Sequence, residues 1–392
     1  MDQQHTDAHG RHRRRRAHPR AVALGLALLL VAGAVVGSIF WLRDTASSEG
    51  TTAAGSSSPP SSGMGHEMHP RTTTPSAAAS STTRVVTASA ATPKLGAAVP
   101  VGKAPHHMAL APGGRFAYVA DPELKAVIRF DTAREVPTRT IPIPEAPPQL
   151  VTFSPDGKRA YVSAYDKDFA ADFVVVLDTG TDSRIDAWPV GRGPYALGTT
   201  LDGRLLYVPY YDENHLDVLN ATSGARVDRI ELPPSPHWVA FTSDRRFVYV
   251  TNHFSDVVSV LELGSDRVVA TIPVGDGPHS LEISPDGTRL AVVNYISSDV
   301  SVIDPKTNTV VATVKGVGAG PQDVTYAPDG RHFYTADVDD GTIGVVDTRT
   351  GAVTARIRTG DSPTSVTVSP DGRRLFVTNF GDGTVRVLDA GP

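Results

Sequence analysis

A short turn signature recurs seven times at a near-constant spacing, and that period constrains the fold more than any other feature of the chain. The copies begin at residues 111, 154, 200, 242, 284, 327 and 369, at intervals of 43, 46, 42, 42, 43 and 42 residues. Ser154-Pro155-Asp156-Gly157, Ser284-Pro285-Asp286-Gly287 and Ser369-Pro370-Asp371-Gly372 are the fullest versions. Pro pre-sets φ and Gly supplies a positive φ, so each copy closes a hairpin. An alternating segment precedes the turn, as in Ser280 to Ile283. An apolar one follows it, as in Ala117-Tyr118-Val119 or Leu206-Tyr207-Val208. Two further β-branched segments complete each unit, and none has a helical period. Four short strands per unit make a propeller blade.

The ends of the array agree with a closed ring. The last copy stops after its third strand, at Asp389, while Leu95 to Val101 aligns without gaps on the fourth-strand segment Val268 to Val274. The fold expected over 94–392 is therefore an all-β, seven-bladed β-propeller of four-stranded blades. One N-terminal strand joins three C-terminal strands, which removes the open sheet edges of a linear array. Asp131, Asp178, Asp304, Asp347 and Asp389 end third strands and read as turn starters, since Asp bonds its own backbone two or three residues on.

Tyr249-Val250-Thr251-Asn252 and its near copy Phe376-Val377-Thr378-Asn379, with the Ser-Pro-Asp-Gly turns and the strand Val300 to Asp304, resemble the YVTN-type, YncE-like β-propeller repeat proteins. The resemblance covers residues 95–389. It implies an exported, surface-associated protein, and binding more than catalysis. Lactonases and the haem domain of a nitrite reductase are similar at the level of the wider superfamily, so function has to be argued from the site.

The N-terminal part reads as an address and a tether. Residues 1–20 include the basic block RHRRRRAHPR, and residues 21–42 run for 22 residues without a charge. A helix of that length spans about 33 Å, enough for a hydrocarbon core of about 30 Å. Basic residues before it predict a cytoplasmic N-terminus and an extracytoplasmic propeller at the cell membrane. The alternative is secretion after signal cleavage near Thr45-Ala46-Ser47. Residues 43–93 are a Ser/Thr/Pro/Ala-rich linker expected to be disordered. Within it Met64, His66, Met68 and His69 form a thioether–imidazole patch of the kind that suits copper.

Composition then excludes whole classes. The 392 residues contain no cysteine, so disulfides, thiolate metal sites and c-type haem attachment are out. Residues 94–392 carry 28 Lys/Arg against 37 Asp/Glu, which argues against a nucleic-acid partner.

Register locates the candidate site. Five residues before each turn start stand His106, Gln149, Tyr195, His237, His279, Gln322 and Thr364, each directly after a Pro. They are expected to ring one mouth of the central channel. Ten residues after each turn start stand Asp121, Ala164, Tyr210, Asn252, Asn294, Asp337 and Asn379, with His107, Tyr211, Trp238 and His253 beside the two rings. A funnel of imidazoles, amides and aromatics fits a small-molecule or protein ligand met outside the cell. Adjacent blades make His237 and His279 the pair for copper or another divalent metal. His106 is too far to join them unless the channel is narrow. A lactonase-like hydrolase would need a cation on Asp121, Asn252, Asn294 and Asp337. His215 and His332 fall off the ring register and are expected at the surface.

Overall fold

A computed structural model describes residues 86–392. The basic N-terminus, the predicted membrane span at 21–42, most of the linker and the Met64 to His69 patch lie outside the described residues. The described chain forms seven four-stranded antiparallel sheets. Blades 1 to 6 run consecutively through residues 107–142, 148–189, 198–231, 236–273, 278–315 and 321–358. Blade 7 takes three strands from 363–389 and its outer strand from Lys94–Pro100.

The turns form as their residues dictate. In blade 2 the Ser154 hydroxyl donates to Asp156 at 2.7 Å, and the Arg159 amide donates back to Ser154 Oγ at 3.0 Å. Gly157 sits at φ 68°. Blade 4 carries Arg245 in the glycine position, and it adopts φ 60° all the same, because the surrounding ladder fixes the turn. The third-strand aspartates start turns: Asp131 Oδ1 accepts from the Arg134 amide at 2.8 Å, and Asp347 Oδ1 from the Thr350 amide at 2.8 Å.

Packing between blades uses one repeated device. The second-strand tyrosines of blades 1 to 4 are fully buried, and their hydroxyls tie each of these blades to the next. Tyr118 donates to Asp182 at 2.7 Å, Tyr161 to the Ala221 carbonyl at 2.7 Å, and Tyr207 to Asp266 at 2.6 Å. A buried tyrosine needs a partner for its hydroxyl, and the following blade supplies it.

Closure follows the expected register: Leu95 pairs with Leu388 and Val99 with Val385 across an antiparallel ladder. A bulge lies between Leu95 and Ala98. Gly96 sits in it because a Cβ there would stand 2.7 Å from the Val387 carbonyl oxygen. Val101 follows the strand, bonds the Gly383 carbonyl through its amide at 3.0 Å, and packs with Met108, Val385 and Val387.

The tether ends earlier than its composition suggests. Residues 86–93 lie against blades 6 and 7 on the face of the Ser-Pro-Asp-Gly turns. The Thr87 amide donates to the Asp371 carbonyl and the Ala90 amide to the Ala390 carbonyl, both at 2.8 Å. Ser89 is buried; its hydroxyl lies 2.7 Å from His332 Nδ1 and donates to Asp329 at 2.8 Å. His332 is therefore a buried anchor for this strap and not the surface residue its register suggests. His215 is buried as well, with Nε2 2.9 Å from Glu213 Oε2.

Candidate functional site

The first-strand register brings Tyr195, His237 and His279 of blades 3, 4 and 5 into one stack. Ring centroids lie 3.7 Å apart for Tyr195–His237 and 4.3 Å for His237–His279, and the Tyr195 hydroxyl is 3.3 Å from His279 Nε2. His253 stacks on His237 at 5.2 Å, and Tyr211 meets the same ring edge-on at 5.3 Å. The other half of the ring is tied by hydrogen bonds. His106 Nδ1 is 3.1 Å from the Gln149 carbonyl, His106 Nε2 is 3.3 Å from Gln322 Nε2, and the Thr364 hydroxyl donates to the His106 carbonyl at 2.6 Å. A carbonyl only accepts and an amide NH₂ only donates, so His106 is held neutral with its proton on Nδ1.

The channel is narrow. His107 of blade 1 and Trp238 of blade 4 face each other across it at 5.8 Å. The distance that would separate His106 from the other histidines is correspondingly short, and each imidazole depresses the charging of the next. Burial first, then neighbouring imidazoles, hold His237 and His279 well below the usual histidine range, and burial lowers His253. His107 is pushed down to about 3. These rings are neutral at physiological pH, so each offers one bare acceptor nitrogen and one N–H donor. His237 is 2% exposed, and neither of its ring nitrogens has a hydrogen-bond partner among the described residues; His279 Nδ1 has none either.

The second register is placed differently. Asp121, Asn252, Asn294, Asp337 and Asn379 are fully buried and brace loops inside their own blades. Asn252 donates to Ser259 Oγ and Asn294 to Ser301 Oγ, both at 2.9 Å, and Asp121 accepts the Lys103 amide at 2.7 Å. In blade 5 a loop glycine packs onto the amide: a Cβ on Gly275 would stand 2.5 Å from Asn294 Nδ2. The structure brings the first ring together and leaves Asn252, Asn294 and Asp337 apart, each behind its own loop. A lactonase-like cation on the second ring finds no convergent set, and no group of three or more His, Asp or Glu placed to hold a metal occurs among the described residues.

One feature was read only in part from the sequence and one was missed. One residue beyond the second register stand Tyr165, Tyr211, His253, Tyr295 and Phe380, in five of seven blades. Phe380 packs on His106 at 6.0 Å and Tyr295 on His279 at 6.2 Å. Tyr211 and His253 of this column stand among the residues read beside the rings; Tyr165, Tyr295 and Phe380, at the same repeat position, were not read. The second feature is a pair of acids on the channel strands. Glu282 accepts the Tyr326 amide at 2.7 Å and Asp323 the Val366 amide at 3.0 Å, so each satisfies the unpaired edge of the next blade's inner strand. Burial pushes Glu282 up to about 7 and Asp323 up to about 6. The six other blades carry Ala, Gly or Thr at the Glu282 position.

Comparison with known proteins agrees with this architecture. Residues 239–339 match the model of the YNCE-like β-propeller. Residues 297–391 match that of the cytochrome D1 haem domain. No curated protein sequence matches the chain. Among solved structures, hydrazine synthase from Kuenenia stuttgartiensis superposes with a TM-score of 0.66 at 20% identity, over 74% of this chain and 96% of that one. At that identity the likeness shows the propeller fold.

A haem does not fit the residues present. The haem-domain match contains one histidine, His332, and no methionine. His332 faces away from the mouth and is held by Ser89. At the mouth Tyr195, His237 and His279 stand 3.7 and 4.3 Å apart, too close for a macrocycle to enter between their rings.

Proposed function

We propose that this chain is a non-enzymatic binding propeller that takes a small ligand, or one protruding group of a partner protein, at the imidazole-lined mouth. The observation that carries the reading is His237: a ring 2% exposed whose two nitrogens lack partners. A buried polar group left unpaired costs about 1–3 kcal/mol, and a ligand that bonds it recovers that cost. Sequence supports the setting: the uncharged span at 21–42 behind a basic block favours a membrane tether with the propeller outside the cell. Resistance of the full chain to alkaline carbonate extraction tests the tether. For the site, a thermal-shift panel of small polar and charged compounds on the full chain is expected to raise Tm for one class. That gain should vanish in His237→Phe, which keeps a ring but removes both ring nitrogens. Gains that survive His237→Phe and His279→Phe alike refute the site.

A second reading has one observation in its favour. His237 and His279 stand with rings 4.3 Å apart and three unpartnered nitrogens between them, a start on a copper or other divalent-metal site that would need further donors. Metal that co-purifies in stoichiometric amount and is lost in His237→Ala supports it.

A further inference from the structure

We propose that the mouth selects an organic ammonium group, a ligand that brings both N–H donors and positive charge. This rests on the mouth being the binding site, and it names the chemistry of what binds there. Four separate features point to a cation.

The first is the charge of the face. The loops that border the mouth join second to third strands and link each blade to the next. Between the strand ends they carry twelve Asp or Glu against four Lys or Arg. The loops of the opposite face, including the Ser-Pro-Asp-Gly turns, carry nine against eleven. The net acidity of the propeller is thus concentrated at one end, where it raises the local concentration of cations.

The second is the lining. The aromatic column packs around the imidazole cluster, with Tyr211 5.3 Å from His237 and Tyr295 6.2 Å from His279. Aromatic faces attract cations, more strongly when water is excluded. The third is the acceptors. His237, with both nitrogens unpartnered, and His279, with Nδ1 unpartnered, are neutral rings. A neutral imidazole has one bare nitrogen, which accepts from an ammonium N–H, and one N–H; it carries no positive charge to attract a carboxylate or phosphate. The fourth lies on the same channel strands, three residues past His279 and one past Gln322: the Glu282 and Asp323 carboxyls, which enter no ion pair among the described residues. Buried acids without a counter-cation make the channel favourable to positive charge and unfavourable to an anion.

The test uses three five-carbon probes of matched length: 1,5-diaminopentane, 1,5-pentanediol and glutarate. Each is titrated calorimetrically into the full chain at low ionic strength. The diammonium compound is expected to bind at least tenfold more tightly than the diol and glutarate. His237→Phe should weaken it tenfold or more while the folding midpoint stays near that of the parent; His279→Phe serves as the second variant if His237→Phe unfolds. Equal or tighter binding of the diol or glutarate, lost in His237→Phe, overturns the cation inference and leaves the mouth as the site. Diammonium binding unaffected by both substitutions overturns the site as well. So does absence of binding by all three probes together with a thermal-shift panel in which no compound responds.

Discussion

Closure of the ring by Lys94–Pro100 and the residue after it can be tested with a single pair of methyl groups. Val101 is 9% exposed and packs among Met108, Phe376, Val385 and Val387 at the seam between blades 7 and 1. Val101→Ala removes two buried methyl groups, worth about 1.6 kcal/mol of transfer free energy. The cavity left behind brings the cost to about 2–3 kcal/mol. Unfolding entropy of about 2.1 cal/mol/K per residue over roughly 300 residues gives about 0.6 kcal/mol/K, so the melting temperature should fall by about 3–5 °C. Val269 is the control. It lies on the outer strand Arg267–Pro273 of blade 4 and is 48% exposed, so Val269→Ala should lower Tm by under about 2 °C. Differential scanning calorimetry of the full chain reads both. A loss for Val101→Ala no greater than that for Val269→Ala refutes the argument that the N-terminal strand closes the propeller.

Other outcomes follow from the same geometry. Ser89→Ala leaves Asp329 and His332 without the strap's hydroxyl and should cost about 1–3 kcal/mol locally; faster hydrogen exchange at the Thr87 and Ala90 amides, with blade-core amides unchanged, would show it. Removing residues 1–85 should leave Tm unaltered, whereas removing 1–101 should lower it sharply or cause aggregation through the bared edge of blade 7. Asp337 is fully buried, and burial pushes its carboxyl up to about 7. A folded-state value above the unfolded one means the fold holds a proton the unfolded chain releases, so this group's contribution to stability falls as pH rises from about 4 to about 7. Asp337→Asn removes that loss. Blades 4, 5 and 7 hold Asn at this register, and Asn379 donates to Thr384 Oγ1, a bond the substituted amide can copy with Thr342. The variant should melt higher than the parent at pH 8 and near it at pH 4; equal curves at both values would sink the argument.

The architecture was written in the sequence because a propeller is a local rule applied seven times. Each turn needs its own Pro, Asp and Gly, each strand its own alternation, and the missing fourth strand of the last blade could be found by aligning Leu95 to Val101 on Val268 to Val274. Register alone also pointed to the ring of His106, Tyr195, His237 and His279, since equivalent positions in equivalent blades must share a face. What register could not give was distance. The width of the channel is set by how seven inner strands lean together, and it decides that His107 meets Trp238 across the mouth and that Tyr195 stacks on His237. Nor could it separate the two polar rings: Asn252 and Asn294 are as polar as Gln149 or Gln322, yet a loop glycine folds over Asn294 and buries it. Ser89 lies 240 residues from Asp329 and 243 from His332 in sequence, so no periodicity joins it to them. The tertiary structure alone decided those contacts, because they depend on how the blades close and not on what any one blade repeats.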